Sequence, residues 1–139
     1  MPPFPQAQAE AAIAAAFGKP VHAVFSSFGP AVAAASIAQV HQAVLADSGK
    51  TVAVKVLRPG VERRFRVDLN AFFFAARLAE KFSAEARRLR LTEVVDTLAR
   101  SVAMEMDLRL EAAAMSEMAE NTRNDPDFRV PVVDWNMTG

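Results

Sequence analysis

The sequence predicts an α+β fold: a small antiparallel sheet with helices on one face. Three observations carry this. Residues 51–57, "TVAVKVL", alternate apolar and polar directly after the turn-forming "DSGK". From Val61 the apolar period changes, with Phe65, Leu69, Phe72, Phe73 and Ala76 at helical spacing. The element order is helix, two or three strands, two long helices and a strand, with neither βαβ alternation nor an internal repeat.

Each element has a local reason. Residues 5–17 form an Ala-rich helix after a Pro-rich entry, stopped by Gly18 and Pro20. "VFSSFGPAVAAASIAQVHQAVLA" mixes β-branched and aromatic residues with Gly and Pro, which predicts strand, loop, strand. The 51–57 strand ends at "RPG". The Phe-rich helix runs from Val61 to about Phe82. A second begins near Thr92, with Leu91, Val94, Val95, Leu98 and Val102 on one side, and continues to about Glu120. "NTRNDPD" is a loop, and "FRVPVVDW" is a last strand with Pro131 at an edge. The domain divides into a helical segment 1–20, an alanine-rich loop with strands 21–58, helices 60–122 and a strand 128–136.

Composition narrows the function. At 139 residues the chain holds one domain, and 52% apolar residues exclude wholesale disorder. Basic and acidic residues balance at 16 each, so no nucleic-acid partner is expected. There is no cysteine, which excludes disulfides, thiolate metal sites and a Cys nucleophile. The two histidines, His22 and His41, are too few for a His-based zinc site, and no metal site is expected. The start shows no signal peptide, and "AFFFAA" is far short of a membrane span. A cytoplasmic location follows, and "NMT" at 136–138 reads as an accidental sequon.

Two stretches resemble phosphate-binding signals. "GKT" at 49–51 fails as a Walker A loop, because Val44 stands where Gly is required and the triplet lies between strands. "DSGK" is a hairpin turn. The second signal is a glycine-rich-loop frame in which Ala33, Ala35, Ala38 and Val40 fill the glycine and valine slots, followed by "VAVK" at 52–55. On a strand Ala53 and Lys55 share one face and Val52, Val54 and Val56 the other. An exposed edge lysine and a nucleotide-facing lysine both fit. "SVAMEMDLRLEAAAM" then supplies Glu105, Asp107 and Glu111. On one continuous helix Glu105 and Glu111 point about 120° apart, so each needs its own partner. Gln39 and His41 lie on the strand face away from Val40 and read as surface or sheet-packing groups.

Assembled, "PPFP", "AAASIAQVH", "VAVKVLRPG", "VDL", "LTEVV", "EMDLRLEAA" and "VPVVDW" resemble the UbiB family of atypical kinase-like proteins, in that family's order and over nearly the whole chain. The resemblance implies a protein-kinase-like N-lobe with long αC-type helices and an inserted Phe-rich helix. It implies that Ala33, Ala34, Ala35 and Ser36 form the alanine-rich loop that replaces a glycine-rich one. With Val40, Ala53 and Lys55 they face an adenine nucleotide, ATP or ADP, with Mg²⁺ in the full-length parent. Lys55 corresponds to the phosphate lysine, Glu111 to its αC glutamate, and Glu105 and Asp107 to the E-x-D motif. In the family the counterpart of Glu105 meets an upstream K-x-G-Q motif that occludes the peptide site. Family members support ubiquinone biosynthesis at a membrane and act as ATPases or small-molecule kinases. The implied partners are adenine nucleotide, membrane lipid and ubiquinone-pathway proteins, and the implied location is peripheral at the inner membrane.

Two departures qualify this. Ala114 stands where the family usually has Asn, and no K-x-G-Q, catalytic-loop or metal-binding Asp string of a C-lobe occurs. The chain reads as an N-lobe portion with the C-lobe absent, inactive alone. Alanine reaches positive φ only at a cost of about 1 kcal/mol, so the loop is expected to be stiff, and Ala35→Gly in a full-length relative to raise ATP affinity or turnover. Lys55 and Glu111 are expected to pair. Three consecutive phenylalanines cannot share one core, so Phe74 either packs under the N-terminal helix or meets a partner, the missing lobe or a membrane, aided by the basic 87–90 cluster. The alternative function is a non-catalytic interaction module that keeps the fold.

Overall fold

The computed structural model describes residues 2–138. They divide into two compact units, Met1–Val61 and Glu62–Gly139.

The first unit holds a helix α1 (Gln6–Phe17), a single turn α2 (Val21–Val24), and three strands, β1 (Phe25–Ala34), β2 (Ala38–Leu45) and β3 (Thr51–Leu57). The strands form one antiparallel sheet in the order β1-β2-β3. Gly18 ends α1 with φ 62°, a left-handed turn that glycine adopts without a Cβ penalty. The β2–β3 connection is the expected tight hairpin: the Leu45 amide donates to the Lys50 carbonyl at 2.9 Å, and Gly49 takes φ 68°. Alternation along β2 sends Gln39, His41, Ala43 and Leu45 to one buried face. Phe4, Ala9, Ile13, Phe25 and Val56 complete that core. The opposite face carries Val40, Gln42, Ala53 and Lys55.

β1 does not pair evenly with β2. The register slips between Phe25 and Ser27, between Phe28 and Ala31, and between Ala31 and Ala33. Pro30 lies inside the second slip and has no N–H to give the ladder. Beside it, a Cβ on Gly29 would stand 3.1 Å from the Gln42 carbonyl oxygen, closer than most Cβ contacts, so the strands approach tightly here.

The second unit is helical. α3 covers Val61–Phe82, as the apolar period predicts, followed by α4 (Ala84–Leu89), α5 (Leu91–Met106) and α6 (Leu108–Asn121). Ser83 caps α4, its hydroxyl accepting the Ala86 amide at 3.2 Å. α5 starts after Arg90 in the left-handed conformation, φ 50°, with no cap of its own. Glu80 supplies one from α3, accepting the Thr92 amide and the Thr92 hydroxyl, each at 2.9 Å.

Two expectations are corrected. The helix from Thr92 to Glu120 is broken: Asp107 takes φ −84° and ψ 92°, ends α5 and begins α6. Residues 128–136 form no strand; they run irregularly into a 3-10 turn at Trp135–Met137. The sheet of the described residues has three strands, none of which this segment joins, and Pro131 brings no donor to a ladder.

Candidate functional site

The register of the sheet aligns the candidate residues of the first unit. Ala33 pairs with Val40, and Val40 pairs with Lys55, so the three stand in one row across β1, β2 and β3. Ala53 sits one step along, opposite Gln42, on the same face. Ala33, Ala53 and Lys55 are exposed and Val40 half-buried. The result is a shallow, methyl-lined strip ending in an ammonium group.

The alanine loop borders this strip. Ala33 and Ala34 finish β1, and Ala35 closes the connection by donating its amide to the Ala38 carbonyl at 2.8 Å. Ser36 is exposed. No residue from 33 to 36 has positive φ. These alanines sit in conformations that alanine prefers, and the loop needs no glycine.

The carboxylates belong to the second unit. Glu105 lies in the last turn of α5 and Glu111 in the first turn of α6. The break between them voids the single-helix calculation of their directions. Asp107 forms the break. Its Oδ1 accepts the Arg109 amide at 3.0 Å, which makes it the N-cap of α6. Glu111 gains from the same helix start, where unpaired amides favour negative charge.

Sequence reasoning undervalued Gln39 and His41. They are 1% and 0% exposed, and every polar atom of both is hydrogen-bonded. The signal was present in the alternation, which places 39 and 41 on the face of Ala43 and Leu45.

The match to known families is of the same extent as the chain. The ABC1 atypical kinase-like domain matches residues 1–139. The chain belongs to this family. Among curated relatives of the ABC1 domain, "Probable protein kinase UbiB" of Marinobacter nauticus is 42% identical over 139 residues, 99% of this chain and 25% of the relative. The proteins of the same name from Pseudomonas paraeruginosa and Azotobacter vinelandii are 42% and 41% identical over 137 residues, covering 98% of this chain and 26% and 25% of theirs. The chain thus spans about a quarter of the length of the curated relatives it matches. No solved structure matches it. The three-stranded antiparallel sheet with helices accords with the N-lobe of an atypical kinase-like ABC1 domain.

Among the described residues no group of three or more His, Cys, Asp or Glu side chains is placed to hold a metal ion. Among the described residues no helix is long and apolar enough to cross a membrane.

Proposed function

We propose that this chain is the nucleotide-facing N-terminal lobe of a UbiB-like atypical kinase or ATPase, with its chemistry completed by the rest of the parent protein. The observation that carries the reading is the row Ala33, Val40, Lys55 beside Ala53 on the open face of the sheet. An adenine ring lies over Val40 and Ala53, whose small side chain leaves room for a flat base. Ala33, Ala34, Ala35 and Ser36 border the phosphates, and the Lys55 ammonium neutralises them. Glu111 is assigned to hold Lys55, and Glu105 and Asp107 to the E-x-D function, Asp107 through the start of α6 that it caps. Lys55 and Glu111 are both solvent-exposed residues.

Mg²⁺ accompanies the nucleotide in the parent and lowers the charge repulsion of its phosphates. Among the described residues no cluster of acidic side chains is placed to hold it. The chain alone binds adenine nucleotide without hydrolysing it, and the parent acts in ubiquinone biosynthesis. A fluorescent ATP analogue titrated into wild type and Lys55→Ala tests this. Saturable binding that weakens at least tenfold in the variant is expected, and equal binding by both proteins contradicts the assignment.

A second partner is suggested by α3. Val67, Phe74, Leu78 and Phe82 are exposed, Phe74 at 69%, and fall within about 80° of helix arc. Arg63, Arg64 and Lys81 border this stripe, Asp68 and Arg77 come next on opposite sides, and Glu62 and Glu80 lie farthest round. An apolar stripe bordered by cations suits an anionic lipid surface. It supports a peripheral position of the parent at the inner membrane, and it is also the face a non-catalytic interaction module would use. Co-sedimentation with anionic but not neutral vesicles, lost in Phe74→Ser, supports it; equal sedimentation with both removes it.

A further inference from the structure

Gln39 and His41 carry an inference that the nucleotide face does not use. Buried polar side chains need partners, and theirs form a directed chain. The Phe4 amide donates to Gln39 Oε1 at 3.0 Å, and Gln39 Nε2 donates back to the Phe4 carbonyl at 3.4 Å. Gln39 Nε2 also stands 2.9 Å from His41 Nε2, and His41 Nδ1 stands 2.8 Å from the Gly29 carbonyl oxygen. A carbonyl only accepts, so Nδ1 carries the proton and donates. Nε2 is then the bare nitrogen and accepts from Gln39. The Phe28 ring stacks on the imidazole at 4.5 Å between centroids.

The far end of this chain is the irregular part of β1. The Gly29 carbonyl belongs to the slip between Phe28 and Ala31, and beyond that slip β1 leads to Ala33, Ala34 and the loop. Arg58 provides a second route. Its Nη2 donates to the Pro2 carbonyl at 3.1 Å, its guanidinium lies 5.2 Å from the Phe4 ring centroid, and its backbone amide donates to the Ile37 carbonyl at 2.7 Å. Ile37 lies in the β1–β2 connection.

We propose that Pro2–Phe4 is a strap, and that Gln39, His41 and Arg58 are positioning residues coupling its placement to the alanine loop. With the strap seated, the Gln39 amide has one orientation, His41 one tautomer and the Gly29 carbonyl a fixed donor. With it lifted, Gln39 loses two of three bonds, and Arg58 loses both side-chain contacts that brace the loop end. The effect on nucleotide rests on the function proposed above; the mechanical coupling does not.

The first test is nitrogen NMR of the His41 ring in the 139-residue chain. A protonated Nδ1 and bare Nε2 are expected, and a proton on Nε2 overturns the chain as drawn. The second is Phe4→Pro, which removes both the N–H that Gln39 accepts and the ring under Arg58. Ala35 touches neither, yet its amide exchange with solvent is expected to quicken about fivefold, the equivalent of one net hydrogen bond. The His41 tautomer is expected to become mixed. Unchanged exchange at Ala35 overturns the coupling. Should Phe4→Pro fail to fold, His41→Asn decides: it retains a donor for Gly29 but cannot reach Gln39. Faster exchange at both Phe4 and Ala35 supports the coupling, because Arg58 still links the loosened strap to the loop end, and faster exchange at Phe4 with Ala35 unchanged rejects it. ATP-analogue affinity is expected to fall in parallel with Ala35 protection. If wild type binds no analogue, the nucleotide reading fails while exchange and tautomer still decide the strap.

Discussion

Asp107→Ala, set beside Asp107→Asn, separates helix capping from carboxylate charge. Asp107 Oδ1 accepts the Arg109 amide at 3.0 Å, and the residue's φ and ψ are those of a cap rather than a helix interior. Removing the side chain leaves one first-turn amide of α6 to water and costs about 1 kcal/mol. Asparagine retains the accepting oxygen, so Asp107→Asn is expected to lose only a few tenths of a kcal/mol, from the weaker interaction of a neutral group with the helix start. With a urea m-value of about 2 kcal/mol/M, the alanine variant shifts the midpoint of the helical circular-dichroism signal by about 0.5 M. The asparagine variant shifts it by under half as much. Equal losses in the two variants would refute the capping account and put the charge first. A continuous helix through 107 in the alanine variant, with stability gained, would refute the break.

Three further outcomes follow from other contacts. Gly29→Ala brings a methyl to 3.1 Å from the Gln42 carbonyl oxygen, a backbone atom held in the sheet, and is expected to lower stability by about 1–3 kcal/mol in urea unfolding; no change would show that the strands part freely. Ala35→Gly meets no positive φ to relieve and is expected to cost about 0.4–1 kcal/mol through the unfolded chain, with faster exchange at its own amide, and a stabilised variant would contradict the loop geometry. Glu80 has its carboxyl held below the ordinary value, first by the Thr92 amide, then by the Thr92 hydroxyl, with desolvation opposing slightly. A lowered folded pKa contributes stability that is present above the unfolded value of 4.5 and is lost as pH falls through the lower folded one. Protection of the Thr92 amide is therefore expected to be steady at neutral pH and to decline below about pH 4.5, and Glu80→Gln to abolish that decline.

What the sequence disclosed follows the physical range of each signal. Thr51–Leu57 and Val61–Phe82 were legible to the residue because a period of two and a period near 3.6 meet there across "RPG". The break at Asp107 was hidden because the apolar spacing continues across it, while the interruption comes from one carboxylate bonding two residues on. α4 has six residues, too few to show a period, though Ser83 marks its start. The 128–136 segment has strand-like composition, but a strand exists only against a partner. Lys55 and the alanine row were visible as a face of β3 and a loop, and their alignment with Val40 needed the register. Gln39 and His41 could be placed on the buried face by alternation. That their partner is Phe4, 35 residues from Gln39, was beyond any local pattern.

The central claim is that the Ala33, Val40, Ala53 and Lys55 face of the sheet receives the nucleotide. Backbone NMR of the chain titrated with a non-hydrolysable ATP analogue tests it most directly. Shifts confined to residues 33–36, Val40, Ala53 and Lys55, with Ala43 and Leu45 on the buried face unmoved, are the predicted result. Shifts centred on α1 or the buried face, with Lys55 silent, would contradict it.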